Sequence, residues 1–211
     1  MKNKGMRTMQ LLLSATLAIL LSSSFTSCKE ASDEVEEYAN WQQQNEEAFL
    51  LLYNEALSAI AAGRSDWKLL LAYSTPDSSD VVPDPTDYVV VKVVDEGEGT
   101  TSPYFTDMVK IHYLASLLPS PSYPEGYEID HSYVKPFDPA SAYPAERAIS
   151  ESYYDTGLAT ALQHMHKGDH WIVYIPSDLA FGSESTTIVP AYSMLIYEII
   201  LVDFYPKDES N

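Results

Sequence analysis

"VKIHY" (109–113), "GYEIDHSY" (126–133), "GLATALQHM" (157–165), "KGDHWIVYIPSDLAFG" (167–182) and "VPAYSMLIYEIILVD" (189–203) follow one another in the second half of this chain, and their periods decide its fold. In "DMVKIHYLASLL" (107–118), Val109, Ile111, Tyr113 and Ala115 recur at every second position and so share one face of a strand. "TGLATALQHMHKGD" (156–169) is the one helical stretch here, with Asp155 or Thr156 as N-cap and Gly168 as the stop. "HWIVYI" (170–175) and "SMLIYEIILV" (193–202) read as strands, as does the β-branched run "YVVVKVV" (88–94), which ends in the turn "DEGEGT" (95–100). One short helix among antiparallel strands makes an α+β domain over residues 87–205: a curved antiparallel β-sheet wrapped over one short α-helix.

Upstream, "TPDSSDVVPDPT" (75–86) has the proline and aspartate density of a linker, and "DWKLLLAYS" (66–74) adds a strand. Residues 28–86 read as an acidic tether, an N-terminal amphipathic helix and that linker. The helix is expected from about Glu34 to Ala62. Asp33 and Glu36 have capping-box spacing, Phe49, Leu52, Tyr53, Ala56 and Ile60 recur at helical intervals, and Gly63 is the stop. One helix is too little for an independent module. Its stripe is therefore expected to dock on the β-domain through Phe49, Leu52 and Ile60, in a monomer rather than a dimer.

Residues 1–27 have the order of a secretory signal: Lys2, Lys4 and Arg7, then the apolar run Leu11–Leu21, then the small residues "SSSFTS" (22–27). The run is short for a membrane span. "FTSC" (25–28) resembles the box of bacterial, Bacteroides-like lipoproteins, which implies that Cys28 is acylated and becomes the first residue of a mature chain anchored to the cell envelope. Cys28 is the only cysteine, so no disulfide within the chain is available and the fold must rest on its core.

Composition narrows the function. With 211 residues and 45% hydrophobic content the chain can bury one good core. A formal charge of −19 argues against nucleic acid as a partner, because phosphate binding needs clustered Lys and Arg. His164 and His166 are two apart, which on a helix turns them to different faces, and His112 and His131 fall on separate elements, so no metal site is expected. Neither a Gly-rich phosphate loop nor a G-x-S-x-G elbow occurs in the sequence, and no cofactor is implied.

The five stretches, in this order and at this spacing, resemble the FKBP-type peptidyl-prolyl cis-trans isomerase domain. The resemblance implies a proline-binding pocket. Tyr113 in "IHY" matches its wall tyrosine and Asp130 in "EIDHS" the aspartate of its "FDSS" motif, with Ile129 in place of that motif's phenylalanine. Leu158 stands at the pocket floor where the best-known members have tryptophan. Ile188 and Val189 match the apolar pair at the mouth, Tyr197 an aromatic of the last strand, and Tyr154 or Tyr153 the usual aliphatic pair before the helix. Phe181 in "LAFG" stands where the family has a ligand-bonding tyrosine. "VKPFDPASAYPAERA" (134–148) reads as an insert that lengthens the flap. Tyr113, Asp130 and Phe181 are then the candidate catalytic residues, and Ile129, Tyr154, Leu158, Ile188, Val189 and Tyr197 the candidate substrate contacts. Two functions are expected from this constellation: a weak isomerase assisting folding in the bacterial envelope, acting on proline-containing peptides or unfolded chains, or a non-catalytic FKBP-like lipoprotein that binds them.

Overall fold

A computed structural model describes residues 35–76, 82–152 and 155–207. The signal segment, Cys28, Asp33 and Tyr154 lie outside the described residues. Seven strands build one sheet: β1 (Trp67–Leu71), β2 (Tyr88–Asp95), β3 (Asp107–Ser116), β4 (Glu128–His131), β5 (Ala145–Ala148), β6 (His170–Ile175) and β7 (Leu195–Pro206). Their order is β1-β2-β6-β7-β3-β4, with β5 also on β3, and every pairing is antiparallel.

Period-two alternation explains the inner face. Val89, Val91 and Val93 lie beside Trp171, Val173 and Ile175, which lie beside Leu195, Tyr197 and Ile199, and all are buried in one core with Ile111, Tyr113 and Ala115. Helix α2 (Thr156–Leu162) closes this core and buries every residue from Gly157 to Leu162. Its N-cap is Asp155, whose carboxylate accepts from Leu158 N at 2.8 Å. Gly157 is required for the approach: a Cβ there would stand 2.3 Å from the Ile175 side chain. The apolar run was legible in the sequence and the cap was narrowed to Asp155 or Thr156; the closeness of the contact was not legible.

On the opposite face lies helix α1 (Trp41–Ala61), packed against β1 and β2 through Phe49, Ala56 and Ala59, with Trp67, Val90 and Met194 beneath them. It starts seven residues later than Glu34. Asn40 takes a left-handed conformation (φ 51°), which Asn tolerates, and turns the chain so that Tyr38 meets Trp41 edge to face at 4.9 Å. Trp41 then donates through Nε1 to Ser193 Oγ at 2.8 Å, and Asn45 Oδ1 accepts from Met194 N at 2.8 Å, both buried. Glu36 lies before the helix and caps nothing in it. The stripe also runs differently from the expected one: Ala59 is buried, whereas Ile60 is exposed together with Leu50, Leu51 and Leu57. Among the described residues no helix is long and apolar enough to cross a membrane.

β5 falls within the stretch read as an insert in the flap, and β4 lies just before that stretch. They share one edge of β3 instead: β5 pairs with Met108–Ile111 and β4 with Leu114–Ser116. Tyr113 sits at the break between them, its backbone held by Ser132, whose Oγ accepts from Tyr113 N and whose N donates to Tyr113 O, each at 2.9 Å.

Candidate functional site

That break builds the site. Because β4 and β5 reach Tyr113 from two sides, its hydroxyl donates to Asp130 Oδ2 at 2.6 Å and accepts from Arg147 Nη2 at 2.9 Å. Arg147 also comes within 3.9 Å of Asp130 and lies 4.7 Å from the centre of the Tyr113 ring, a cation–π position. Asp130 Oδ1 accepts from His131 N at 2.9 Å. Burial, reinforced by the hydrogen bond to Asp130, pushes the Tyr113 phenol up to about 12, so it stays protonated and keeps donating.

Beside this cluster opens a cavity of about 410 Å³, whose floor and walls are Leu158, Tyr197, Phe181, Asp155 and Arg147, with Glu146 and Glu151 at its rim. Leu158 is the fully buried apolar floor. Tyr197 donates to Asp155 Oδ2 at 3.0 Å, and the rings of Tyr113 and Tyr197 are 6.4 Å apart. Asp155 is buried, which raises its carboxyl to about 6 even though Leu158 N and Tyr197 favour the charged form. The Tyr197 phenol is raised well above 10, first by burial and then by the Asp155 charge.

The structure brings together Tyr113, Asp130, Leu158, Phe181 and Tyr197. Tyr113 stands behind Arg147 and does not line the cavity, so its hydroxyl fixes Asp130 and Arg147. Ile129 packs partly buried against the main core. Val189 is buried in that same core, while Ile188 is exposed and lines a separate depression with Tyr38, Tyr123 and Tyr127. Two residues escaped the sequence reading. Arg147 sits in "PAERA" with no period to mark it, and only the pairing of β5 with β3 aims it at Tyr113. Asp155 was legible as one of two candidate helix caps but not as a charged group in the cavity.

A buried tyrosine network, an apolar floor at Leu158 and an aromatic wall at Phe181 are hung on an antiparallel sheet around a short helix, with Glu146, Arg147, Glu151 and Asp155 adding charge to the lining. Residues 99–202 match the family model described as FKBP-type peptidyl-prolyl cis-trans isomerase, and the chain carries a domain of that family. It is similar to the FKBP-type 22 kDa peptidyl-prolyl cis-trans isomerase of Escherichia coli K12, 30% identical over 113 residues that cover 53% of this chain and 48% of the relative. It is also similar to the macrophage infectivity potentiator of Trypanosoma cruzi, 29% identical over 115 residues covering 54% and 52%. The chain thus spans about half the length of these two relatives. The crystal structure of FkpA from Escherichia coli shares the fold, with a TM-score of 0.53 at 19% identity, covering 98% of this chain and 74% of that one.

Proposed function

We propose that this protein is a peptidyl-prolyl cis-trans isomerase whose groove takes the X-Pro bond of proline-containing peptides or unfolded chains. An amide resists rotation because planarity preserves its resonance, with a barrier of about 18–20 kcal/mol. The twisted transition state has lost that resonance and its carbonyl is less polar. A cavity that binds the twisted form better than the planar one therefore lowers the barrier with no nucleophile or metal. Leu158 and Phe181 supply the apolar surface for the pyrrolidine ring. A guanidinium carries five N–H donors, so Arg147 can hold Tyr113 and still offer one to the substrate. The observation that carries this reading is the Tyr113–Asp130–Arg147 cluster against the wall of the Leu158 cavity.

NMR exchange on a short Leu-Pro peptide tests it without a coupled protease. Acceleration by the wild type that falls on Asp130→Ala or Tyr113→Ala, with folding checked separately, supports the reading. Saturable binding with no acceleration at high protein concentration rejects it in favour of a binding module. One observation favours that second reading: Asp155 places a carboxylate at the floor, where a less polar transition state gains nothing from charge.

The proposal includes an envelope location. Cys28, with "SSSFTS" before it and the acidic "KEASDEVEE" (29–37) after it, is read as an acylated anchor, each buried CH₂ contributing about 0.8 kcal/mol of membrane affinity. Metabolic palmitate labelling of the wild type and Cys28→Ala decides this, and equal labelling of both removes the anchor. The soluble remainder is proposed to be a monomer, which sedimentation measures.

A further inference from the structure

The opposite side of α2 carries a second cavity, of about 440 Å³, which shares Ser152 with the first. Its walls are Tyr73, Phe105, Thr156, Ala159, Thr160 and Gln163. Among the described residues no charged side chain lines it, in a chain with 31 acidic and 12 basic residues. Two aromatic rings stand at its mouth in the open: Tyr73 is 61% exposed and Phe105 is 51% exposed.

The Tyr73 ring and the backbone that carries Phe105 are held in place although solvent reaches both side chains. Tyr73 stacks on the His164 ring at 5.2 Å and 18°, and its backbone N donates to Thr160 Oγ1 at 3.4 Å. His164 is itself tied to the helix, with Nδ1 2.8 Å from Thr160 O. Phe105 rides on a closed turn in which the buried Asp107 accepts from Tyr104 N at 2.8 Å and donates its own N to Tyr104 O at 2.9 Å. Exposed aromatics around an apolar hollow are a binding surface in need of an occupant, and a ring already stacked, as Tyr73 is, loses little freedom when covered.

We infer that this cavity is a subsite for an apolar or aromatic side chain that flanks the proline in the same extended peptide. The inference rests on the reading of the first cavity as the proline site. Continuity selects this occupant. Ser152 lines both hollows, and both are walled by the first turns of α2, which turns Leu158 to one and Thr156, Ala159 and Thr160 to the other. The uncharged lining selects its chemistry. A helix is about 10 Å across and an extended chain advances about 3.3 Å per residue, so the flanking side chain belongs about two to four residues from the proline.

Fluorescence-detected binding of blocked peptides to the full-length protein tests this. A short Leu-Pro peptide is compared with longer ones that carry Phe or Ser at each offset on either side of the proline. The subsite predicts that Phe at one offset tightens Kd about tenfold over Ser, a 1.4 kcal/mol difference. Tyr73→Ala and Phe105→Ala should each erase most of that gain while leaving the short peptide's Kd unchanged; both side chains are exposed, and an unchanged melting temperature verifies the fold. If the short peptide binds but Phe gains nothing at any offset, or gains as much in both variants, the subsite is rejected and the proline site stands. If no peptide binds, both are rejected.

Discussion

The two α-helices among the described residues are stabilised in opposite ways. α2 spans seven residues, Thr156–Leu162, and is buried from Gly157 onward; α1 spans 21, Trp41–Ala61, with Leu50, Leu51, Leu57 and Ile60 in solvent. An isolated helix as short as α2 does not form in water. It exists because the sheet surrounds it, and that dependence makes it a rigid floor for the cavity. α1 is long enough to have helical tendency of its own and is joined at its start by the Trp41–Ser193 and Asn45–Met194 bonds. The functional groups gather around the helix with no autonomy, because a group fixed from all sides needs no reorganisation when substrate arrives.

The largest test of this contrast is truncation on each helix. Leu158→Ala should cost about 2–5 kcal/mol, the range for emptying a packed core position, whereas Leu51→Ala should stay within about 0.5 kcal/mol of wild type. Denaturant unfolding of both measures it, and similar losses would erase the contrast.

Asp155 comes next, because a buried cap near α2 ties stability to pH. Below pH 3.8 its carboxyl is protonated in both states. Between 3.8 and about 6 the unfolded chain releases the proton while the folded one keeps it, so the folded state is progressively disfavoured as pH rises. A displacement of about two pK units corresponds to roughly 3 kcal/mol at most. Asn caps helices as well as Asp, so Asp155→Asn should flatten the decline and raise stability at pH 7 relative to wild type. Melting temperatures from pH 4 to 7 check it, and parallel curves would refute the buried charge.

On α1, Asn45→Ala leaves Met194 N buried and unpaired and should cost about 1–3 kcal/mol. A smaller loss would mean that α1 rests on its apolar contacts alone. The smallest effect belongs to Phe181→Tyr. A hydroxyl added at the cavity wall can contribute one hydrogen bond, about 0.5–1.5 kcal/mol, and so raise the isomerisation rate roughly three- to tenfold if the bond forms mainly in the transition state. NMR exchange on the Leu-Pro peptide reads this directly.

The order of strands and the short helix were written in local periods. Val109, Ile111, Tyr113 and Ala115 alternate, Asp155 caps, and "WKLLL" carries strand residues; a periodic run determines its own state because the backbone has only a few allowed conformations. Local signals fail where the outcome depends on a distant partner. The start of α1 is set by Trp41 reaching Ser193, 152 positions away, and not by the capping-box spacing at Asp33. Ile188 and Val189 are neighbours in sequence, yet one is exposed and the other buried in the core. Arg147 has no period at all: it becomes part of the site only because β4 and β5 divide one edge of β3 and leave Tyr113 between them. The sequence by itself therefore determined β1, β2, β3, β6 and β7, the presence of the two helices, their order and the residues able to form a core, but not β4 or β5. Tertiary structure alone decided which polar groups meet, because strand pairing across long loops sets register and no local pattern encodes it.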